Sequence, residues 1–388
     1  MIDPDLALET IRNIKHRPQQ EEVSLTDALG RVLAQEIRST IDSPPFSKAA
    51  MDGYAVSRRD KSKTFRVVEI IAAGNMPLRE IKEGECASIM TGAMMPAGTD
   101  KVIRVEYTAE KEGRVSLVRE EPECNVILKG ENLKKGETVL QPRVLKVQDI
   151  GILASLGMAR VKVVIPPTVG IITTGTELRQ PGEELKPGEI YNSNGHQLMA
   201  HLASIGSPHR CYSTISDEPE EIKEKISHAI DENDIVLLSG GVSMGKFDFV
   251  PSVLKENGVD IKFHRIAIKP GKPTLFGTKG EIFIFGLPGN PVSTFVIFEI
   301  FVKVLIYRWQ SIDYQPAYKK ARLTESLKRR NTKRVEMLPV RVTGDEIELL
   351  NYHGSSHLNI LSRANGLVRI ERGVDFIKEG TELNVRQI

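Results

Sequence analysis

Only three cysteines occur in 388 residues, and Cys86, Cys124 and Cys211 lie far apart with no Cys-x-x-Cys pair among them. So odd and sparse a count argues against a disulfide framework or a zinc knuckle and points to reduced thiols in a cytoplasmic protein. Eight histidines show no His-x-His or His-Glu-x-x-His spacing, so no tightly held zinc is expected. No apolar run approaches the roughly 18 residues of a membrane span, and Phe283–Leu287 is far too short. The amino-terminal MIDPDLALETIRNIKHR lacks the apolar core of a signal peptide, and no membrane association is expected. A charge surplus is missing too. The 53 Lys and Arg against 51 Asp and Glu leave +2, which argues against a nucleic-acid partner but allows a local basic pocket.

What is present is enough apolar residue, 40%, to build real cores, in a chain long enough for several domains. Helical spacing of Leu8, Ile11 and Ile14 predicts a helix over Asp5–Arg17, and a second short helix is expected over Leu25–Ile37. The prolines of SPPFSKAA interrupt that pattern, and residues 44–135 then read as strands and turns. Beyond Pro166-Pro167, apolar strands such as TVGIITTG and DIVLLSGG alternate with helices such as NSNGHQLMAHLASIG. That alternation predicts a doubly wound, mainly parallel sheet with helices on both faces. After Pro316 the chain turns β-like again. The expected fold class is multidomain α/β plus β. A discontinuous mixed α/β linking domain takes 1–43 and 136–164, and a β-rich inserted domain takes 44–135. The α/β sheet domain takes 165–311, and a barrel-like C-terminal β domain takes 312–388.

Ligands of parallel sheets bind beyond the carboxyl ends of the strands. Those ends here are TTGTE, SGGVSMGKFD, KPGKP and GLPGNP. In DIVLLSGGVSMGKFD, two glycines after a buried strand let a phosphate approach backbone N–H groups. Gly240–Lys246 matches the opening of a nucleotide P-loop. Phe247, however, stands where a magnesium-holding Ser or Thr is required, so a nucleoside triphosphatase is disfavoured. Asp248 is either a helix N-cap or a carboxylate for a hard cation. The lysines of KPGKP, Lys269 and Lys272, crowd two charges around a proline turn, which suits an oxyanion between them better than a solvated loop. Asn290 and Ser293 of GLPGNPVS have helix capping as their plainer role. Asp52-Gly53 in AAMDGYAV has a hairpin turn, and Thr91 in SIMTGAMMPAGTD a turn hydroxyl.

Together SPPFSKAAMDGYAV, SIMTGAMMPAGTD, GIITTGTEL, IYNSNG, SGGVSMGKFD, IAIKPGKP and GLPGNPVS resemble, in order and over nearly the whole chain, the MoeA/gephyrin E-domain family, the molybdopterin molybdotransferases. The resemblance implies a homodimer of four-domain subunits, with an α/β domain of the molybdopterin-binding type. Its active site would lie between that domain and the partner subunit's β-rich domain. It implies insertion of molybdate into adenylylated molybdopterin with release of AMP, assisted by magnesium, and a pterin adenylyltransferase as a further partner.

Residue by residue, it implies Asp52, Thr91, Glu177 and Asp248 as catalytic, with Glu177 and Asp248 holding the metal. Pterin-nucleotide binding would fall to Asp234, Ser239, Gly240, Gly241, Ser243, Pro288, Asn290 and Pro291, and molybdate to Lys269, Lys272, Arg334 and Ser356. Three positions depart from the family pattern. Asn132 stands where many members have Asp, Thr176 replaces an acidic residue, and Arg265 replaces a lysine. Two other functions compete. The sheet domain also resembles pterin adenylyltransferase and nicotinamide-nucleotide amidase domains, and a gephyrin-like scaffold would bind receptor peptides. Neither enzyme relative accounts for AAMDGYAV and the C-terminal β domain, and a scaffold needs no KPGKP.

Overall fold

The computed structural model describes residues 1–212, 219–241 and 250–388. The chain forms two compact units, one of residues 1–34 and 161–388, the other of residues 35–160.

Helix α1 (Pro4–Arg12) opens the first unit. Asp3 caps it by accepting from the Asp5 N–H, and proline stands in its first turn. It stops short of the expected Arg17 at the Asn13 cap. The helix expected over Leu25–Ile37 does not form beyond a single 3-10 turn, Leu25–Asp27. Gly30 adopts φ 77°, and Leu33 pairs with Val163 in a β-bridge. Backbone pairing with a distant segment overrides the local spacing there.

The second unit is built on a six-stranded sheet. Its strands are β1 (Gly53–Val56), β2 (Thr64–Ile71), β3 (Glu85–Ile89), β4 (Lys101–Arg104), β5 (Thr108–Lys111) and β6 (Arg114–Leu117), in the order β4-β1-β3-β2-β6-β5. Helix α2 (Val147–Ser155) follows in the same unit.

Back in the first unit come β7 (Val169–Thr173), α3 (Ser193–Ser204), β8 (His209–Cys211), α4 (Pro219–Glu232), β9 (Ile235–Ser239) and α5 (Val250–Glu256). Then follow β10 (Asp260–His264), β11 (Ile268–Lys269), β12 (Leu275–Lys279) and β13 (Ile282–Leu287). The sheet order is β8-β7-β9-β13-β12-β10, parallel through the first four strands and antiparallel at the β12 and β10 edge. Both β7 and β9 are buried at every position. Ile171 and Leu237 pack with Leu198 of α3, while Ile172 and Val236 pack with Ile226 of α4. Apolar runs are therefore covered by helices on both faces.

A long helical segment follows, α6 (Pro291–Ile297), a π-helical stretch (Phe298–Val302) and α7 (Lys303–Trp309). The chain ends in β14 (Tyr318–Leu323), β15 (Val335–Thr343), β16 (Glu346–Leu349), β17 (Gly366–Ile370) and β18 (Glu382–Gln387). These five strands run β15-β16-β14-β18-β17, and β17 pairs back to β15, closing a barrel. Short β11 adds to the barrel by pairing in parallel with β15. No helix of the described residues is long and apolar enough to cross a membrane.

Candidate functional site

A cavity of about 600 Å³ opens beyond the carboxyl ends of β7, β9 and β13. Its wall includes the turn after β9, where Gly240 and Gly241 take φ 98° and 65°. A Cβ on Gly240 would stand 2.5 Å from the Thr174 carbonyl oxygen, so only glycine lets the chain turn this close to β7. The Gly240 N–H is spent within the protein, donating to Leu287 O at 3.3 Å.

The N-terminus of α3 meets the same cavity through Ser193 and Asn194. Asn192 caps it by accepting from the Gly195 N–H at 3.0 Å, and donates its own Nδ2 to Thr173 Oγ1 at the end of β7. Asn194 Nδ2 donates to Ser239 Oγ at 2.9 Å and to Gly289 O at 2.7 Å, tying the helix start to two strand-end turns. Unpaired N–H groups and the helix dipole at such an end favour a phosphate.

Of the residues singled out in the sequence, Glu177, Ser239, Gly240 and Gly241 line this cavity, as do Pro288, Asn290, Pro291 and Ser356. Asn290 occupies the N-cap position of α6, but its side chain makes no capping bond. Its Nδ2 instead donates to Ser355 Oγ at 2.8 Å, fastening the loop that carries Ser356 to the GLPGNP turn.

Asp234 is elsewhere. It precedes β9, at the opposite end from Ser239, about 16 Å away at the rise of a strand. There it accepts from the Thr168 N–H at 2.7 Å and the Thr168 hydroxyl at 2.8 Å. Motif residues stand at both ends of this stretch, and only its carboxyl end meets the cavity. Asp248 and Ser243, with the rest of 242–249, lie outside the described residues.

Lys269 and Lys272 flank the KPGKP turn in a different electrostatic setting from two lysines facing each other. The Lys269 ammonium has a protein carboxylate at 2.7 Å, Glu336 Oε1. Lys272 is exposed and has no side-chain partner among the described residues. Arg334 joins this group by donating to Ile268 O at 3.1 Å. Arg265, just upstream, holds φ 90°, fixed by the Ile2 N–H on its carbonyl and by its own N–H on Thr274 O.

In the other unit, Asp52 and Thr91 are joined. The Thr91 N–H and hydroxyl both donate to Asp52 Oδ1, at 2.6 and 2.9 Å. These bonds hold the Asp52 carboxyl below the ordinary carboxylate range. Asn132 lies in the same unit, its N–H on Ser43 O at 3.0 Å.

Sequence reasoning did not single out Asn194 or Glu336. The capping pattern of NSNG carried a signal for Asn194. Nothing local marked Glu336, which meets Lys269 only through strand pairing.

A magnesium ion binds through one or two carboxylates, waters and substrate phosphates. Among the described residues no three His, Cys, Asp or Glu side chains converge. Glu177 is the carboxylate among them that lines the cavity. That donor set fits an ion completed by a substrate phosphate and does not form a cage by itself.

Three family models match the chain. The MoeA N-terminal region (domain I and II) covers residues 2–157, a model described as "probable molybdopterin binding domain" covers 170–307, and the MoeA C-terminal region (domain IV) covers 320–388. A molybdopterin molybdenumtransferase of Staphylococcus epidermidis is 30% identical over 378 residues, which is 94% of this chain and 90% of that one. One from Bacillus subtilis is 35% identical over 317 residues, 78% and 74% of the two chains. A solved molybdopterin biosynthesis MoeA protein from Pyrococcus horikoshii OT3 is similar over 100% of both chains, with a TM-score of 0.88 and 30% identity.

Proposed function

This chain belongs to the molybdopterin molybdenumtransferase (MoeA) family, enzymes of molybdenum cofactor biosynthesis, and from that membership we propose that it transfers molybdenum from molybdate to adenylylated molybdopterin, releasing AMP with magnesium assisting. The observation that carries the reading is the strand-end cavity. It combines a glycine turn, a helix N-terminus and the barrel loop of Ser356 in one pocket of about 600 Å³ lined by both polar and apolar residues, room for a pterin nucleotide.

The α3 N-terminus and the Gly240-Gly241 turn hold the phosphate end of the substrate. Lys269, Lys272, Arg334 and Ser356 attract and orient the molybdate dianion. Glu177, with Asp248, would hold magnesium, whose chemistry is to polarise the phosphoanhydride-like linkage. Asp52 and Thr91 orient substrate or water. Catalysis by positioning and charge neutralisation requires no covalent nucleophile.

We further propose a homodimer, a cytoplasmic setting in keeping with three free thiols, and the four-part domain division given above. A pterin adenylyltransferase supplies the substrate. The test is AMP release from adenylylated molybdopterin by the purified chain, with and without molybdate and magnesium. Release that depends on both supports the reading. AMP release indifferent to molybdate overturns it.

A further inference from the structure

Lys269 is the half-buried lysine of the KPGKP turn, and its surroundings leave it little freedom. Strand β11, which it ends, lies in parallel register with β15, Ile268 opposite Val335 and Lys269 opposite Glu336. The Glu336 side chain is buried, 8% exposed, and its two oxygens are divided between two cations. Oε1 meets Lys269 Nζ at 2.7 Å, and Oε2 accepts from Arg329 Nε at 2.8 Å.

Arg329 is itself immobilised. Its remaining nitrogens donate to three carbonyl oxygens, of Glu371 at 2.9 Å, Val374 at 3.0 Å and Arg334 at 2.9 Å. The last bond also fixes the backbone of Arg334, whose own guanidinium returns to Ile268 O. One buried guanidinium in the barrel thus anchors a carboxylate that anchors a lysine in the α/β domain.

We propose that Glu336 is a positioning residue for the oxyanion. Held by Arg329, it fixes where the Lys269 ammonium stands. The inference rests on the reading that the KPGKP lysines bind molybdate.

The chemistry supports positioning over simple neutralisation. An ammonium has three donors, and Glu336 engages one, leaving two for an oxyanion. A lysine side chain is otherwise among the most mobile, and ordering it at the moment of binding weakens the ligand. Glu336 has done that ordering before the ligand arrives. Its charge is shared with Arg329, so the pair repels an incoming anion less than a free carboxylate would. Lys272, exposed and unheld by any described side chain, contributes charge without a fixed place.

Glu336→Asp separates geometry from charge. The charge stays, but a shorter side chain cannot span Lys269 and Arg329 together. Arg329 keeps its three carbonyl partners, so the barrel holds. The molybdate concentration for half-maximal AMP release should rise on the order of ten-fold, the loss of one charged hydrogen bond's worth of affinity. Half-saturation by the adenylylated pterin should stay within about two-fold.

Lys272→Ala, measured in parallel, tests the underlying reading. If it weakens molybdate dependence and Glu336→Asp does not, the positioning role is wrong while the oxyanion site stands. If neither moves molybdate dependence, the oxyanion site itself is wrong. Equal weakening of molybdate and pterin by Glu336→Asp also overturns the inference, as general damage.

Crystals of the unaltered protein soaked in molybdate give a check that needs no variant. Lys269 should touch the oxyanion while still bonded to Glu336. A lysine that leaves Glu336 to reach the anion would overturn the positioning role.

Discussion

Thr91 gives both its backbone N–H and its hydroxyl to one oxygen of Asp52, at 2.6 and 2.9 Å. Two family motifs 39 residues apart in sequence are thereby one structural unit. The carboxyl is held below its ordinary range, chiefly by the backbone bond, so it is ionised throughout the neutral and mildly acidic range. Any contribution of Asp52⁻ is complete above the unfolded value near 3.8 and is lost as pH falls through the lower folded value.

Asp52→Asn keeps an oxygen able to accept both bonds and removes only the charge. The unfolding midpoint should move by no more than about 2 °C, while turnover falls at least roughly ten-fold, as when a group that interacts with the transition state is neutralised. Calorimetry and AMP release on the same preparation decide it. Normal turnover would reduce the pair to a turn brace.

Gly240→Ala places a Cβ 2.5 Å from Thr174 O at a backbone φ of 98°. We expect a loss of about 1–3 kcal/mol in urea unfolding and weaker binding of the pterin nucleotide. A variant of unchanged stability would mean that the turn relaxes freely and is not set by contact with β7.

His201 is shielded between α3 and the long helix, stacked 4.3 Å from Phe298. Burial lowers its pKa to about 4, against an opposing pull from Glu299. A histidine kept neutral in the fold protonates first in the unfolded chain, so stability falls as pH drops from about 6.5 towards 4. The loss is up to roughly 3 kcal/mol. His201→Phe should flatten that part of the stability profile in denaturant titrations. An identical slope would place the acid sensitivity in other groups.

As a homodimer the protein should sediment at micromolar concentration near twice its 43.1 kDa chain mass. A clean monomer with full transferase turnover would sink the dimer and the shared site it implies.

The sequence by itself determined the elements whose partners are near or generic. Strands β7 and β9 are apolar at nearly every position because both faces meet helices, and that burial is written in consecutive residues. The glycine pair after β9, the capping Asn192 and the proline opening α6 are equally local, since each satisfies backbone geometry at its own position. Only the tertiary structure decided what depends on distant partners. Residues 32–34 abandoned a helical pattern to pair with 162–164. Asp234 and Ser239 stand at opposite ends of β9, and strand direction sends only the second to the cavity. Glu336 found Lys269 across a parallel strand pair, turning a crowded pair of lysines into one held ammonium and one without a side-chain partner among the described residues. Spacing along the chain encodes backbone and burial, whereas a side chain's charge partner is set by which strands lie side by side.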